Sequence, residues 1–551
     1  MTGLAGAVGQ ALAHGGVTTA FGVVGNGNAL AVEGLISGGV RYVAARHEGG
    51  AVAMADAYYR VTGDVAVCTV TYGPGFTNTA TGLADAVKQR DGLLLLCGDG
   101  PVSGPRPIDI DQARFAAALG ARTIRLTNPA NVHAAVADAL ELARSGPCPV
   151  VVSLPSDRLT TEVRNDKAVA VGTARRRRTP ATTEVEAVLD VLARARRPLL
   201  LAGLGAWRSG AGKPIAALAD RLGALLTTTV MAAGLFGENP WSLGVCGGFA
   251  APRAAKIIRQ ADAIVSFGAS LSDFTLHGGR MFRPEATVVQ VDLREDLIGN
   301  RADLRVRGDA TETACALLDG VVGRGLPESC WRLEVAGELD QADWEHEPYS
   351  DASTADRIDP RTLSRAVARL LPEQYTLVTD GGHFVGWPAM YWPVAAPSAL
   401  VFTGAAVQSV GLGFGGAVGA AVGRPDRVTV VALGDGGALM GLPDLETLIR
   451  TARSALVVIF NDAAYGAEVH LYEPLGIDTS PAVFGDTDFA GMARSLGASG
   501  ATVRSSGDLS VLRAWREHGC RGTLVLDCKV VPGVIAPYMA EIRGHIRAGG
   551  E

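Results

Sequence analysis

The chain has 551 residues, 48% of them apolar, and a formal net charge of −6. Such a composition excludes general disorder and gives no electrostatic case for a nucleic-acid or membrane-surface partner. The length points to roughly two to four domains, the 70 Gly and 27 Pro suit turn-rich α/β architecture, and the eight Cys without a CxxC spacing read as reduced core thiols. No basic start or unbroken apolar run marks a signal peptide, so a cytoplasmic protein is expected.

Taken in order, Ala7–His14 reads as a helix, Ala20–Val24 as a strand, the stretch from Ala29 as a helix and Tyr42–Ala45 as a strand, which is the alternation of a parallel sheet. Asn26 and Asn28 stand in the turn after the first buried strand, where turn chemistry alone accounts for them. Glu48 opens a helix running to about Tyr59, in RHEGGAVAMADAYYRVTG, where an acid complements the helix dipole. Val65–Thr71 leads into the turn Tyr72-Gly-Pro-Gly-Phe-Thr-Asn78, then a helix through Ala86 and the strand Leu93–Cys97. Arg175–Pro180 is a charged, proline-bearing break that reads as a linker.

A middle α/β region follows over Thr182–Leu318, with strands at Pro198–Ala202, Ala263–Phe267 and Thr287–Val291. Gly203-Leu-Gly205 and Gly268-Ala-Ser270 follow two of these strands as nucleotide-type turns would, although a GxG alone says little. Glu328–Asp359 reads as a polar linker into a third region that ends near Pro537. Between Asp380 and Arg424 there is no Asp, Glu, Lys or Arg; the Pro, Gly and polar residues there argue for burial within protein rather than a membrane span. That stretch holds His383, and Val410 just before GLGFGGAVGA.

The stretch Val428–Tyr465 carries the strongest chemical signal. A β-branched run stops at Gly434-Asp435-Gly436-Gly437, Leu442, Leu445, Leu448 and Ile449 recur at helical spacing, and Leu456–Phe460 returns as a buried strand ending at Asn461-Asp462. Backbone N–H groups crowded at a glycine turn can hold an anion, and hard oxygens can hold a divalent cation. Adjacent parallel strands bring both turns to one end of a sheet.

This pattern resembles the thiamine diphosphate motif of the acetolactate synthase, pyruvate decarboxylase and benzoylformate decarboxylase superfamily. The spacing from Asp435 to Asp462 is 462 − 435 = 27 residues, as in that family, with Asn-Asp in place of the usual Asn-Asn. The resemblance implies three doubly wound parallel-sheet α/β domains: pyrimidine-binding over 1–165, middle over 182–320, and diphosphate- and metal-binding over 358–540. It implies Mg2+ or Ca2+ held by Asp435, Asp462 and the Ala464 carbonyl, with Gly434, Gly436, Gly437 and Asn461 at the cofactor. Glu48 is implied as the acid at N1′ of the aminopyrimidine, with Gly73 and Asn78 beside the cofactor, Val410 as the wedge between its rings, and Gln112 and His383 as catalytic groups. Asn26, Asn28, Phe76, Glu468 and Tyr472 are placed towards the substrate, and His470 within reach of the pocket.

The implied activity is decarboxylation of a 2-oxo acid, carboligation, or both, in a homodimer or homotetramer with active sites between subunits. Three alternatives stand beside it. A non-catalytic homologue would bind cofactor only. An oxidase of the same superfamily would carry FAD in the middle domain. A nicotinamide dehydrogenase would use the formal GxGxxG at Gly411–Gly416, although no β-branched strand feeds that turn.

Overall fold

The computed structural model describes residues 2–145, 148–163, 177–294, 301–540 and 542. Arg175 and Arg176 of the expected linker lie outside them. Three six-stranded sheets, each wholly parallel, carry the fold. The first consists of Thr19–Gly22, Arg41–Ala44, Ala66–Val70, Leu93–Asp99, Arg122–Arg125 and Val150–Pro155. Counted in chain order within the sheet, these strands lie 2-1-3-4-6-5. The third sheet, of Tyr375–Thr379, Leu400–Phe402, Val428–Gly434, Ser454–Asn461, Ser499–Val503 and Gly522–Lys529, has the same order. The GPG turn at Gly73 and the GDG turn at Gly434 therefore occupy equivalent places, each after the third strand of a sheet of one topology.

The middle sheet is built differently. Its strands, Pro198–Ala202, Leu225–Thr228, Ser242–Val245, Ala263–Phe267, Thr287–Asp292 and Leu304–Arg307, lie 3-2-1-4-5-6, the doubly wound order whose reversal point opens a crevice at the strand ends. Gly203 and Gly205 meet Gly268 at that point. A Cβ built on Gly203 would lie 2.4 Å from the Gly268 oxygen, so the glycines let two strand ends touch.

Helices cover both faces of each sheet, which is why Val430–Leu433 and Leu456–Phe460 are buried throughout and read as continuous apolar runs. The first and third domains join through helices Glu48–Thr62 and Gly413–Gly423. The second places Gly415, Gly419 and Gly423 against the first; a Cβ on Gly419 would sit 2.0 Å from the Met54 oxygen. Gly413 faces Leu433 and Gly416 faces Thr403 at similarly short range. The GxGxxG is thus occupied by packing, which removes the physical basis of the dehydrogenase alternative. Most of the stretch between Asp380 and Arg424 is buried or half-buried, with Pro393, Ala395 and Gln408 exposed, and no helix among the described residues is long and apolar enough to cross a membrane.

The segment Glu328–Asp359 is more ordered than its polarity suggests. It contains the helix Trp331–Leu339, whose Trp331 and Val335 enter the middle-domain core. Trp344 Nε1 donates to the Phe249 carbonyl at 2.8 Å, tying the connection down. The polar average hides these few large apolar anchors. All eight cysteines are free thiols.

Candidate active site

The ends of Val428–Gly434 and Ser454–Asn461 pair in parallel register, with Gly434 opposite Phe460, and so deliver the two turns side by side. Asp435 is 1% exposed, and neither carboxylate oxygen has a hydrogen-bond partner among the described residues. Asp462 stands beside it. Burial raises both carboxyl groups well above the usual carboxylate range, and the charge of Asp462 raises Asp435 further. Asp435, buried without a donor, and the half-buried Asp462 beside it concentrate negative charge at one point, and hard oxygens of this kind suit Mg2+ or Ca2+.

Ala463 has φ 61°, a left-handed turn costly for a residue with a Cβ. It is held by Phe484, whose N–H donates to the Ala463 carbonyl at 2.9 Å. The turn brings Asp462 and Ala464 together into the lining of the cavity that Asp435 faces. Asn461 points the other way: its Nδ2 donates to Asp527 Oδ1 at 2.9 Å and to the Thr487 carbonyl at 3.1 Å. Strand alternation therefore gives the cavity Phe460 and Asp462 and leaves Asn461 behind the sheet end.

The glycines of the GDGG turn are required by close neighbours. A Cβ on Gly436 would lie 2.4 Å from Tyr465 Cε1, and one on Gly437 would lie 3.0 Å from Val410 Cγ1. Beneath the turn, buried Asp380 accepts the N–H groups of Gly411 and Gly413 at 2.9 and 3.2 Å, and burial pushes its carboxyl up to about 7. The cavity has a volume of about 1320 Å3 and extends from this turn into the crevice of the middle sheet, past Gly268, Ser270, Asp292 and Arg294. That exceeds the usual range for one small ligand, about 300–1,000 Å3.

His383 also lines the cavity. Its Nε2 accepts the Ala536 N–H at 2.8 Å, and a backbone N–H donates only to an unprotonated ring nitrogen, so the neutral ring carries its proton on Nδ1. Tyr538 fixes the same turn by donating to the Gly382 and His383 carbonyls at 3.0 and 3.1 Å. The His383 and His470 rings lie 4.5 Å apart, and one ligand atom each from His383, Asp462 and His470 falls within 4.8 Å of the others. Glu468 lines the cavity from an exposed position, whereas Tyr472 is 38% exposed and outside the lining.

A second constellation forms on the first sheet. Glu48 is the first residue of its helix, and the His47 ring caps that helix by accepting the Gly49 N–H at 3.1 Å. Asn78 Nδ2 donates to Glu48 Oε2 at 3.0 Å, and a Cβ on Gly75 would lie 3.4 Å from Glu48 Oε1. Gly73 has φ 63°, the conformation that the GPG turn demands. Gln112 supports this turn: its Oε1 accepts the Gly73 N–H at 2.9 Å and its Nε2 donates to the Gly98 carbonyl at 2.8 Å. Phe76 is fully buried and packs edge-on against Phe115 at 5.9 Å, a core aromatic rather than a pocket wall. Asn28 is likewise internal, accepting from Gly25 N–H at 2.7 Å and donating to the Val23 carbonyl at 3.0 Å, while Asn26 is exposed. None of Glu48, Gly73, Phe76 and Asn78 belongs to the lining of the cavity that Asp435 faces.

Comparison with known proteins identifies these two constellations with two cofactor-binding domains. The chain belongs to the thiamine pyrophosphate (thiamine diphosphate) enzymes: residues 3–113 match their N-terminal binding domain, 185–317 their central domain and 380–527 their C-terminal binding domain. It is 31% identical over 91% of its length to the probable 2-ketoarginine decarboxylase of Pseudomonas aeruginosa, covering 89% of that protein. It is 30% identical over 90% of its length to the acetolactate synthase large subunit of Parasynechococcus marenigrum, covering 82%. The probable acetolactate synthase large subunit of Methanocaldococcus jannaschii is 26% identical, with 91% and 87% of the two chains covered.

Proposed function

We propose that this enzyme decarboxylates a 2-oxo acid and releases the resulting acyl unit or transfers it to an acceptor, using thiamine diphosphate and a divalent cation, Mg2+ or Ca2+. The observation that carries the reading is Asp435: a buried carboxylate with both oxygens unpartnered, beside Asp462, under a glycine turn and facing a large cavity. Asp435, Asp462 and the Ala464 carbonyl are the residues to hold the cation. The N–H groups of Gly436 and Gly437 suit the diphosphate, and Val410, pressed against Gly437, suits support of the rings. Thiamine diphosphate, when bound, supplies a carbon nucleophile and an electron sink for cleaving the bond between a carbonyl carbon and its carboxylate.

Glu48, oriented by Asn78, is the residue to share a proton with pyrimidine N1′. His383, with its proton held on Nδ1, is a donor towards the reacting carbonyl. Separation of the Glu48 constellation from the cavity at Asp435 supports a site completed by a second copy of the chain, in a homodimer or homotetramer. The test mixes Glu48→Gln and Asp435→Ala chains, each inactive alone, under exchange conditions. Partial recovery of 2-oxo-acid-dependent CO2 release is expected, and full activity of a wild-type monomer would overturn the shared site.

A second occupant is favoured by one specific observation, the arm of the cavity that reaches the reversal point of the 3-2-1-4-5-6 sheet. That arm suits a dinucleotide such as FAD. A flavin absorbance spectrum of the purified protein tests it, and a colourless protein that takes up no flavin contradicts it.

A further inference from the structure

The residues between Phe402 and Val410 are held by a buried ionic network that lies outside both constellations. Arg60, 6% exposed, reaches across the domain boundary and donates through Nη1 to the Phe402 carbonyl at 2.7 Å. The same guanidinium meets Asp56 at 2.7 Å, Asp85 at 3.1 Å and Asp91 at 2.9 Å. Asp91 also pairs with Arg208 of the middle domain, whose Nη1 donates to the Gln89 carbonyl at 2.8 Å. Asp85, 2% exposed, accepts the Gly404 N–H at 2.9 Å through Oδ2 and the Ala406 N–H at 2.8 Å through Oδ1.

Charged groups are rarely buried unless paired, and here the pairing extends to backbone of another domain. The segment they hold is itself constrained. Gly404 has φ 74° and Gln408 has φ 55°, a region that non-glycine residues seldom occupy and that persists only where surrounding contacts dictate it. Beyond Gln408, the Ser409 carbonyl accepts the Gly381 N–H at 3.3 Å, and Val410 arrives against the GDGG turn. Arg60 and Asp85 thus anchor the backbone at Phe402, Gly404 and Ala406, beside the Thr403 N–H donated to the Thr379 carbonyl at 2.9 Å and the Ser409 N–H donated to the Gly404 carbonyl at 3.0 Å.

We infer that Arg60 and Asp85 are positioning residues of the cofactor site: they set the register of the Phe402–Val410 loop and thereby hold Val410 over the GDGG turn. The inference rests on the reading of Val410 as support for the cofactor rings. It makes assembly of all three domains a condition for a formed cofactor pocket, because Arg60 and Asp85 lie in the first domain, Arg208 in the middle domain and the loop in the third.

Two variants test it, both measured by calorimetry with thiamine diphosphate and Mg2+ on folded protein. Asp85→Asn keeps the side chain's size but turns an amide NH2 towards one of the loop N–H groups. Gly404→Ala keeps every charged side chain and displaces the loop, since a residue with a Cβ is strained at φ 74° and that Cβ would lie 2.9 Å from the Ser409 carbonyl oxygen. Each is expected to weaken cofactor binding by about 10- to 100-fold, the scale of losing an outer residue that orients the groups touching a bound ligand. A role confined to global stability would lower the thermal midpoint of Asp85→Asn and leave the affinity of the folded protein unchanged. Wild-type affinity in Gly404→Ala, or in folded Asp85→Asn, overturns the inference. Failure of the wild type to bind thiamine diphosphate would instead overturn the functional reading on which it rests.

Discussion

Replacing Glu48 by Gln separates catalysis from folding more cleanly than any other change in this site. The side chain opens the helix Glu48–Thr62 and accepts Asn78 Nδ2 at 3.0 Å. Gln keeps the size and can still offer an oxygen to Asn78, so folding loses only the interaction of a carboxylate with the helix N-terminus, about 0.3–1 kcal/mol. For a chain of this size that is a shift of only about 2–4 °C or less in thermal midpoint. The amide cannot hold a proton against pyrimidine N1′, and general acid–base assistance is worth about 100- to 10,000-fold, or about 2.7–5.5 kcal/mol of barrier. Hydrogen–deuterium exchange at the cofactor's thiazolium C2, read by quench and NMR at matched occupancy, should slow by that factor while calorimetry shows diphosphate binding retained. Equal exchange rates in wild type and variant would refute the proton role of Glu48.

Asp435→Ala should abolish tight thiamine diphosphate binding in the presence of Mg2+, and an unchanged calorimetric affinity would remove the GDGG turn from the cofactor site. Phe76→Leu should destabilise the protein by about 1–3 kcal/mol through lost core packing, with cofactor affinity and KM for the 2-oxo acid unmoved; a changed KM would return Phe76 to the pocket. Asp444 is 4% exposed, and burial raises its carboxyl to about 7. Its folded value lies above the unfolded one, so the folded state holds the extra proton and stability falls as pH rises from about 4 to about 7. Asp444→Asn should therefore gain more thermal midpoint over wild type at pH 8 than at pH 5, and a pH-independent difference would contradict the assignment.

The GDGG turn was readable because its signals are local. Val428–Leu433 and Leu456–Phe460 are apolar on both faces as central parallel strands must be, and each stops at a polar turn. Strand alternation also carries the information that Asp462 faces the cavity and Asn461 does not, although resemblance to an Asn-Asn motif hides it. Edge strands were harder to see: Arg122–Arg125 and Leu304–Arg307 carry arginines because only part of each is covered. The roles of Gln112 and Phe76 depend on Gly73, Gly98 and Phe115, partners that no local period specifies. The same holds for Arg60 and Asp85, whose partners lie across domain boundaries, and for the helix at Trp331, where one buried indole outweighs a polar neighbourhood.

The activity proposed for this chain is thiamine diphosphate-dependent cleavage of the bond between a carbonyl carbon and its carboxylate. A panel of 2-oxo acids labelled with 13C at the carboxylate, spanning apolar, polar and cationic side chains, tests it directly when incubated with cofactor-free protein and then with thiamine diphosphate and Mg2+ added. Release of 13CO2 is expected from at least one member, only when both additions are present, with its loss in Glu48→Gln. Protein that binds the cofactor by calorimetry yet releases no label above buffer from any member would contradict it and leave a cofactor-binding homologue without this chemistry.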